Sequence, residues 1–176
     1  MNRLAKAMNF ATKAHEGDKR KFSGDDYITH PLKVALIVSA YTSDVDTIIA
    51  AVLHDVVEDT EYTFDDIEYK FGETVRDLTV GMTKTYNDSD DYETKVVSEL
   101  LRFKEIYDER VLLIKVADIF GNLSDYKKAP KKFLNKFVDS KKRLMGVIVN
   151  KSVVDNALVS DTYALIAKIE AYIAEV

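Results

Sequence analysis

Residues 47–59 read TIIAAVLHDVVED, and the fold turns on whether this stretch is a helix or a strand. β-Branched residues are frequent in it, which favours a strand. Against that, Ile48, Val52 and Val56 recur at helical spacing, and acid-rich sequence follows. Asp44 or Asp46 stands in front as a helix cap. The spacing predicts one helix across the stretch, strongly apolar on one side, with His54 and Asp55 inside the apolar run. A buried imidazole beside a buried carboxylate is costly unless both have partners, and a single metal ion serves both. A satisfied His–Asp pair with no ion is the plainer alternative.

Outward from this segment the pattern stays helical. Leu4, Ala7, Met8, Ala11 and Ala14 recur at helical spacing, and Gly17 ends that helix. Residues 19–27 (KRKFSGDDY) form a polar loop, and Pro31 suits the first turn of a helix over 32–40. Thr63, three residues before Asp66, predicts an N-cap for a short helix that Gly72 ends. Further helices are expected over 74–81, 92–107, 109–122 and 131–156. Ser160 or Asp161 is expected to cap a last one over 163–174. Residues 82–91 (MTKTYNDSDD) are expected to be a loop. No hairpin signal, glycine-rich phosphate loop, dinucleotide fingerprint or internal repeat appears. The expectation is one all-α domain over residues 1–176, with eight or so helices round a single core.

Composition narrows the function. The absence of cysteine removes disulfides, thiolate nucleophiles and Cys-ligated zinc. Lys and Arg number 25 against 30 Asp and Glu, a net charge of −5 that argues against general DNA or RNA binding. No apolar stretch is long enough to predict a membrane span and no signal-peptide core opens the chain, so a cytoplasmic location is expected. The charge is uneven: Lys127, Lys128, Lys131, Lys132, Lys136, Lys141, Lys142 and Arg143 form a block interrupted by one acid, Asp139. A solvated helix face explains such a block more simply than a polyanion site.

Six further positions bear on the chemistry. Asp118 lies in LLIKVADIFGN, where dry surroundings demand compensation for its charge, and Asn122 follows one turn later on the same face. His30 ends the polar loop just before Pro31. His15, near the end of the first helix, reads as structural, its ring beside the last carbonyls. A set of His30, His54, Asp55 and Asp118 would suit Mn²⁺, Fe²⁺ or Zn²⁺ with water completing the shell. Glu58 and Asp59, four residues beyond His54 and Asp55, can accept or orient a proton of that water; an ordinary acidic helix end is the alternative.

The order His30, then His54-Asp55, then Asp118 resembles the HD superfamily of metal-dependent phosphohydrolases. In detail it is similar to the hydrolase domain of the RelA/SpoT proteins and their small stand-alone relatives. The matching stretches are RKFSGDDYITHPLKVA (20–35), TIIAAVLHDVVEDTEYTFDDIEYKFGETVRDLTVGMTK (47–84) and LLIKVADIFGN (112–122). The resemblance implies an all-helical domain that binds Mn²⁺ and removes pyrophosphate from the 3′ position of ppGpp and pppGpp. It implies that His30, His54, Asp55 and Asp118 hold the metal, and that Glu58 and Asp59 are the catalytic pair. Arg20 and Lys21 would line the pocket beside guanine and phosphates, and Asn122 would approach the sugar-phosphate. Related animal enzymes also remove the 2′-phosphate of NADPH.

One stretch departs from the family pattern. Between Asp118 and Asn122 the family has a basic residue and then a histidine or aromatic residue, where this chain reads Ile119-Phe120-Gly121. The change bears on phosphate binding and specificity more than on the metal. Beyond Asn122 the resemblance fades. The expected activity is alarmone hydrolysis without synthesis; an NADPH 2′-phosphatase, another nucleotide phosphohydrolase and a non-catalytic nucleotide sensor are the alternatives.

Overall fold

In the N-terminal half three helices carry side-chain caps that the sequence supplies, at Asn2, Asp44 and Thr63. In the computed structural model, which describes residues 2–87, 89–151 and 156–175, Asn2 caps α1 (Arg3–Ala14). Helix α2 runs Thr29–Ser39, so His30 and Pro31 lie in its first turn rather than in the preceding loop. Asp44, not Asp46, caps α3 (Val45–Leu53), its carboxylate accepting from the amides of Asp46 and Thr47. A short α4 (Val56–Asp59) follows. Thr63 and Asp66 form a reciprocal capping box at the start of α5 (Phe64–Phe71). Gly72, at φ 96°, turns the chain into α6 (Glu73–Met82), a conformation only glycine adopts without strain.

The second half is built from longer helices. Asp91 caps α7 (Tyr92–Glu105) and Asp108 caps α8 (Glu109–Ser124). A single 3₁₀ turn, 126–128, leads to α9 (Lys131–Val149) and then to α10 (Asn156–Ala174). Helix α8 is the axis of the molecule: Leu112, Ile114, Val116, Ala117 and Ile119 are fully buried in it. It touches α2, α3, α6, α9 and α10, while α1 rests on α3 and α7 on α9. Each buried Leu, Ile or Val among them contributes roughly 1.5–3 kcal/mol. Among the described residues every named element is helical, apart from an isolated antiparallel bridge between Lys19 and Asp26.

Three expectations need correction. The segment 47–59 is not one helix: the chain leaves helical bonding at His54 and Asp55, with Asp55 at φ −99°, ψ −9°. The cause is geometric. Consecutive residues of an intact helix point about 100° apart and do not face each other, whereas here His54 Nε2 and Asp55 Oδ2 stand 3.1 Å apart. Second, Ser160 and Asp161 lie inside α10 and cap nothing, and α9 stops at Val149. Third, the described residues contain ten α-helices rather than eight or so. Residues 88 and 152–155, within two of the predicted segments, lie outside the described residues. No helix among the described residues is long and apolar enough to cross a membrane.

Candidate active site

The break between α3 and α4 opens into a cavity of about 150 Å³. His54 and Asp55 come from the break, His30 from the first turn of α2 and Asp118 from the middle of α8. One donor atom each from His30, His54 and Asp55 lies within 4.8 Å of the others, a cluster able to hold a metal ion. Asp118 joins them: its Oδ1 is 3.1 Å from His30 Nε2 and 3.9 Å from His54 Nε2. Residues far apart in sequence thus converge because α2 and α3 both pack on α8.

The donor set fits a divalent ion. His54 Nδ1 donates to the carbonyl of Ala51 at 2.8 Å, which leaves Nε2 as the ligating atom toward the cavity, 3.1 Å from Asp55 Oδ2 but outside hydrogen-bond geometry with it. Two imidazoles and two carboxylates are the mixed nitrogen and oxygen ligands that Mn²⁺, Fe²⁺ and Zn²⁺ accept. In the absence of an ion the same charges attract a proton. Burial disfavours a charged His54, but the carboxylates of Asp55 and Asp118 outweigh it and push its pKa up to about 9. Asp55 is held well below the ordinary carboxylate range, because His54 and His30 outweigh the penalty of burial. Asp118 is lowered in the same way by Lys115 and the two histidines.

Glu58 and Asp59 line the same cavity from α4. Glu58 is held by Lys84, accepting from its amide at 3.0 Å and facing its ammonium at 3.2 Å. Asp59 accepts from the Tyr27 hydroxyl at 2.9 Å, and the same hydroxyl lies 2.7 Å from Asp55 Oδ2. Burial and the Asp55 charge raise the pKa of Asp59, the direction that suits a carboxylate for taking up a proton. Tyr27, with a single hydrogen between two carboxylates, is pushed to a high pKa by burial and by both anions.

Arg20 reaches the cavity from the loop before α2, donating to Asn122 Oδ1 at 2.7 Å; Asn122 in turn donates to Asp118 Oδ1 at 2.6 Å. Lys21 does not reach this cavity. Its ammonium lies over the rings of Phe22 and Phe133, on the wall of a second, largely apolar cavity of about 270 Å³. Arg20, Tyr27 and Asn122 line both cavities and form the seam between them. His15 is buried outside the metal cluster, its ring against Tyr27 and its Nδ1 3.3 Å from Asp18, so its partner is a side chain rather than the helix carbonyls. Ile119 is fully buried in the core and lines neither cavity, so the residue type at this position does not alter the cavity wall directly.

Sequence reasoning missed Tyr27, Lys84, Glu99, Arg102 and Lys115, which also line the first cavity. Lys115 was findable, because it precedes Asp118 by three residues in the same apolar run and needs a partner for the same reason. The lysine block is partly taken up by pairs within the chain: Lys128 with Asp25, Lys142 with Glu170 and Arg143 with Glu93 at the surface, and the mostly buried Lys141 with Glu99.

Residues 7–144 match the family described as HD domain. The chain is 40% identical over 128 residues to the bifunctional (p)ppGpp synthase/hydrolase SpoT of Escherichia coli, covering 70% of this chain and 18% of that protein. It is 39% identical over 120 residues to the guanosine-3′,5′-bis(diphosphate) 3′-pyrophosphohydrolase of Aquifex aeolicus, covering 68% and 17%. The chain therefore spans less than a fifth of these relatives. A solved metazoan ortholog of SpoT, described as hydrolysing ppGpp, shares the fold at a TM-score of 0.85 with 23% identity, covering 96% of both chains. A crystal structure from Listeria monocytogenes EGD-e aligns at a TM-score of 0.61 with 27% identity, over 80% of this chain and 97% of the other. With the helical bundle, the His-His-Asp cluster and the match over residues 7–144 in hand, the chain belongs to the HD superfamily of metal-dependent phosphohydrolases.

Proposed function

We propose that this chain hydrolyses a nucleotide with a divalent metal, and that its substrate is ppGpp or pppGpp, cleaved to GDP or GTP and pyrophosphate. The observation that carries the reading is the adjacency of two unlike cavities. One is polar and holds the four candidate ligands; the other is apolar and aromatic, and Arg20, Tyr27 and Asn122 join them. A nucleotide has the same two-sided character, with phosphates at one end and a flat base at the other. The names of the SpoT-like relatives add the specific choice of alarmone.

In this reading His30, His54, Asp55 and Asp118 hold Mn²⁺, with Zn²⁺ or Fe²⁺ as other occupants of the same donor set. Such an ion, when bound, polarises a phosphoryl oxygen and makes a water more acidic. Asp59 accepts that water's proton, and its raised pKa suits the task. Glu58, fixed by Lys84, orients the water from the same helix. Arg20 offers a planar fork to phosphate or a face to the base, with its orientation set by Asn122. Lys21 with Phe22 and Phe133 receives the nucleoside side.

The test is incubation of the purified chain with ppGpp and Mn²⁺, with GDP and pyrophosphate as the expected products. NADPH runs in parallel, because release of inorganic phosphate from it would mark a 2′-phosphatase. Turnover of NADPH without turnover of ppGpp reassigns the substrate. Micromolar binding of ppGpp with no metal-stimulated turnover makes the chain a sensor.

A further inference from the structure

We infer that Lys141, Glu99 and Lys115 form a buried line of ion pairs that positions Asp118, so that α9 is a working part of the metal site. The inference rests on the reading of Asp118 as a ligand. Lys141 Nζ lies 3.1 Å from Glu99 Oε2, and Lys115 Nζ lies 2.8 Å from Glu99 Oε1 and 3.3 Å from Asp118 Oδ2. The four side chains are only 10–13% exposed. They come from α7, α8 and α9 and alternate in sign, so their charges cancel.

The arrangement divides the labour of two carboxylates. Asp118 Oδ2 is taken by Lys115, which leaves Oδ1 toward His30 and Asn122. A ligating carboxylate is oriented by the groups that bind its other oxygen. Lys115 alone could not do this reliably, since its contact with Glu99 is already the shorter of its two. Lys141 occupies the second oxygen of Glu99 and weakens that pull. Glu99 stays charged: burial opposes its ionisation, but the two lysines bring its pKa down to about 2. Burial lowers the pKa of Lys141, and Glu99 counters it.

Stability alone does not account for such a line. Buried ion pairs stabilise little, and well-packed apolar residues in their place are often as good or better. What the line supplies is direction, carried from a helix that provides none of the four candidate ligands.

The test is the affinity of the full chain for Mn²⁺, read from the free-ion electron paramagnetic resonance signal, with the thermal midpoint of the metal-free protein recorded alongside. The two accounts of Lys141 differ in sign. If it only adds positive charge, Lys141→Met leaves Mn²⁺ binding unchanged or tighter. If it positions Asp118 through Glu99 and Lys115, Lys141→Met weakens binding by about tenfold, the low end for outer partners of metal ligands. Lys141→Arg keeps the pair and is expected to stay within about twofold of wild type, since its effect falls below that same range. The double variant Glu99→Gln/Lys141→Met removes one charge of each sign and frees Lys115 for Asp118. It is expected to return to within about threefold of wild type, again below that range. Should Lys141→Met not fold, this charge-balanced double decides, and weak binding in it overturns the inference. A wild-type chain that takes up no Mn²⁺ overturns the ligand reading and this inference with it. A wild type that binds, with Lys141→Met equal or tighter, overturns this inference alone.

Discussion

Asp118 meets His30 and Asn122 through one oxygen and Lys115 through the other, so its removal strips a proposed ligand and leaves a buried ammonium underpartnered. Asp118→Ala is therefore expected to abolish Mn²⁺ binding and hydrolysis together. Glu58 touches Lys84 and no candidate ligand, so Glu58→Gln is expected to keep Mn²⁺ affinity while the rate falls by about 10²-fold or more. Metal content of the purified variants beside their turnover on ppGpp checks both, and full retention of metal and rate in Asp118→Ala would sink the ligand set. At this scale the sequence was informative, because a charge in an apolar run stands out: His54, Asp55 and Asp118 announced themselves that way. Tyr27 did not, since a tyrosine in a polar loop is unremarkable until its hydroxyl is found between Asp55 and Asp59.

Among the helices, two glycines contrast. Gly121 sits in α8 where an added Cβ would meet Val34 at 3.5 Å, an ordinary contact. Gly121→Ala is expected to gain about 1 kcal/mol of helix propensity, raising the thermal midpoint by roughly 2–4 °C. Gly81 sits in α6 where the same atom would lie 2.8 Å from Val111, and its carbonyl accepts from Arg102. Gly81→Ala is expected to cost about 1–3 kcal/mol through overpacking. Calorimetric melts of the two variants check the contrast, and equal shifts would contradict it. Capped elements were legible: Thr63 with Asp66 and Gly72 bound α5 in the sequence and in the structure. The break at His54 was not legible, because the apolar spacing of Ile48, Val52 and Val56 runs straight through it.

Across the whole molecule, the site couples to pH through His54. Its pKa in the folded, metal-free chain is pushed from the ordinary 6.5 up to about 9. The group therefore contributes its stability fully below about pH 6.5 and loses it as pH rises through about 9. With His54 as a proposed ligand, metal uptake is expected to run the other way: an incoming ion must displace that proton, so apparent Mn²⁺ affinity is expected to rise with pH until about 9. Thermal midpoints with and without Mn²⁺ are expected to diverge between pH 6.5 and 9. A gap that stays constant over that range would remove His54 from the ligands. The bundle itself was legible as helical from periodicity. The seating of α9 and α10 was not, since family resemblance fades after Asn122 and the lysine block gives no local sign that Lys141 turns inward.

His30 finds Asp118 across 88 positions of chain, and Arg20 finds Asn122 across 102. No early fragment of the growing polypeptide can hold both ends of either contact. For the proposed ligand set, ion capture is therefore expected only once the distant halves of the chain have closed on one another, not when individual helices have formed.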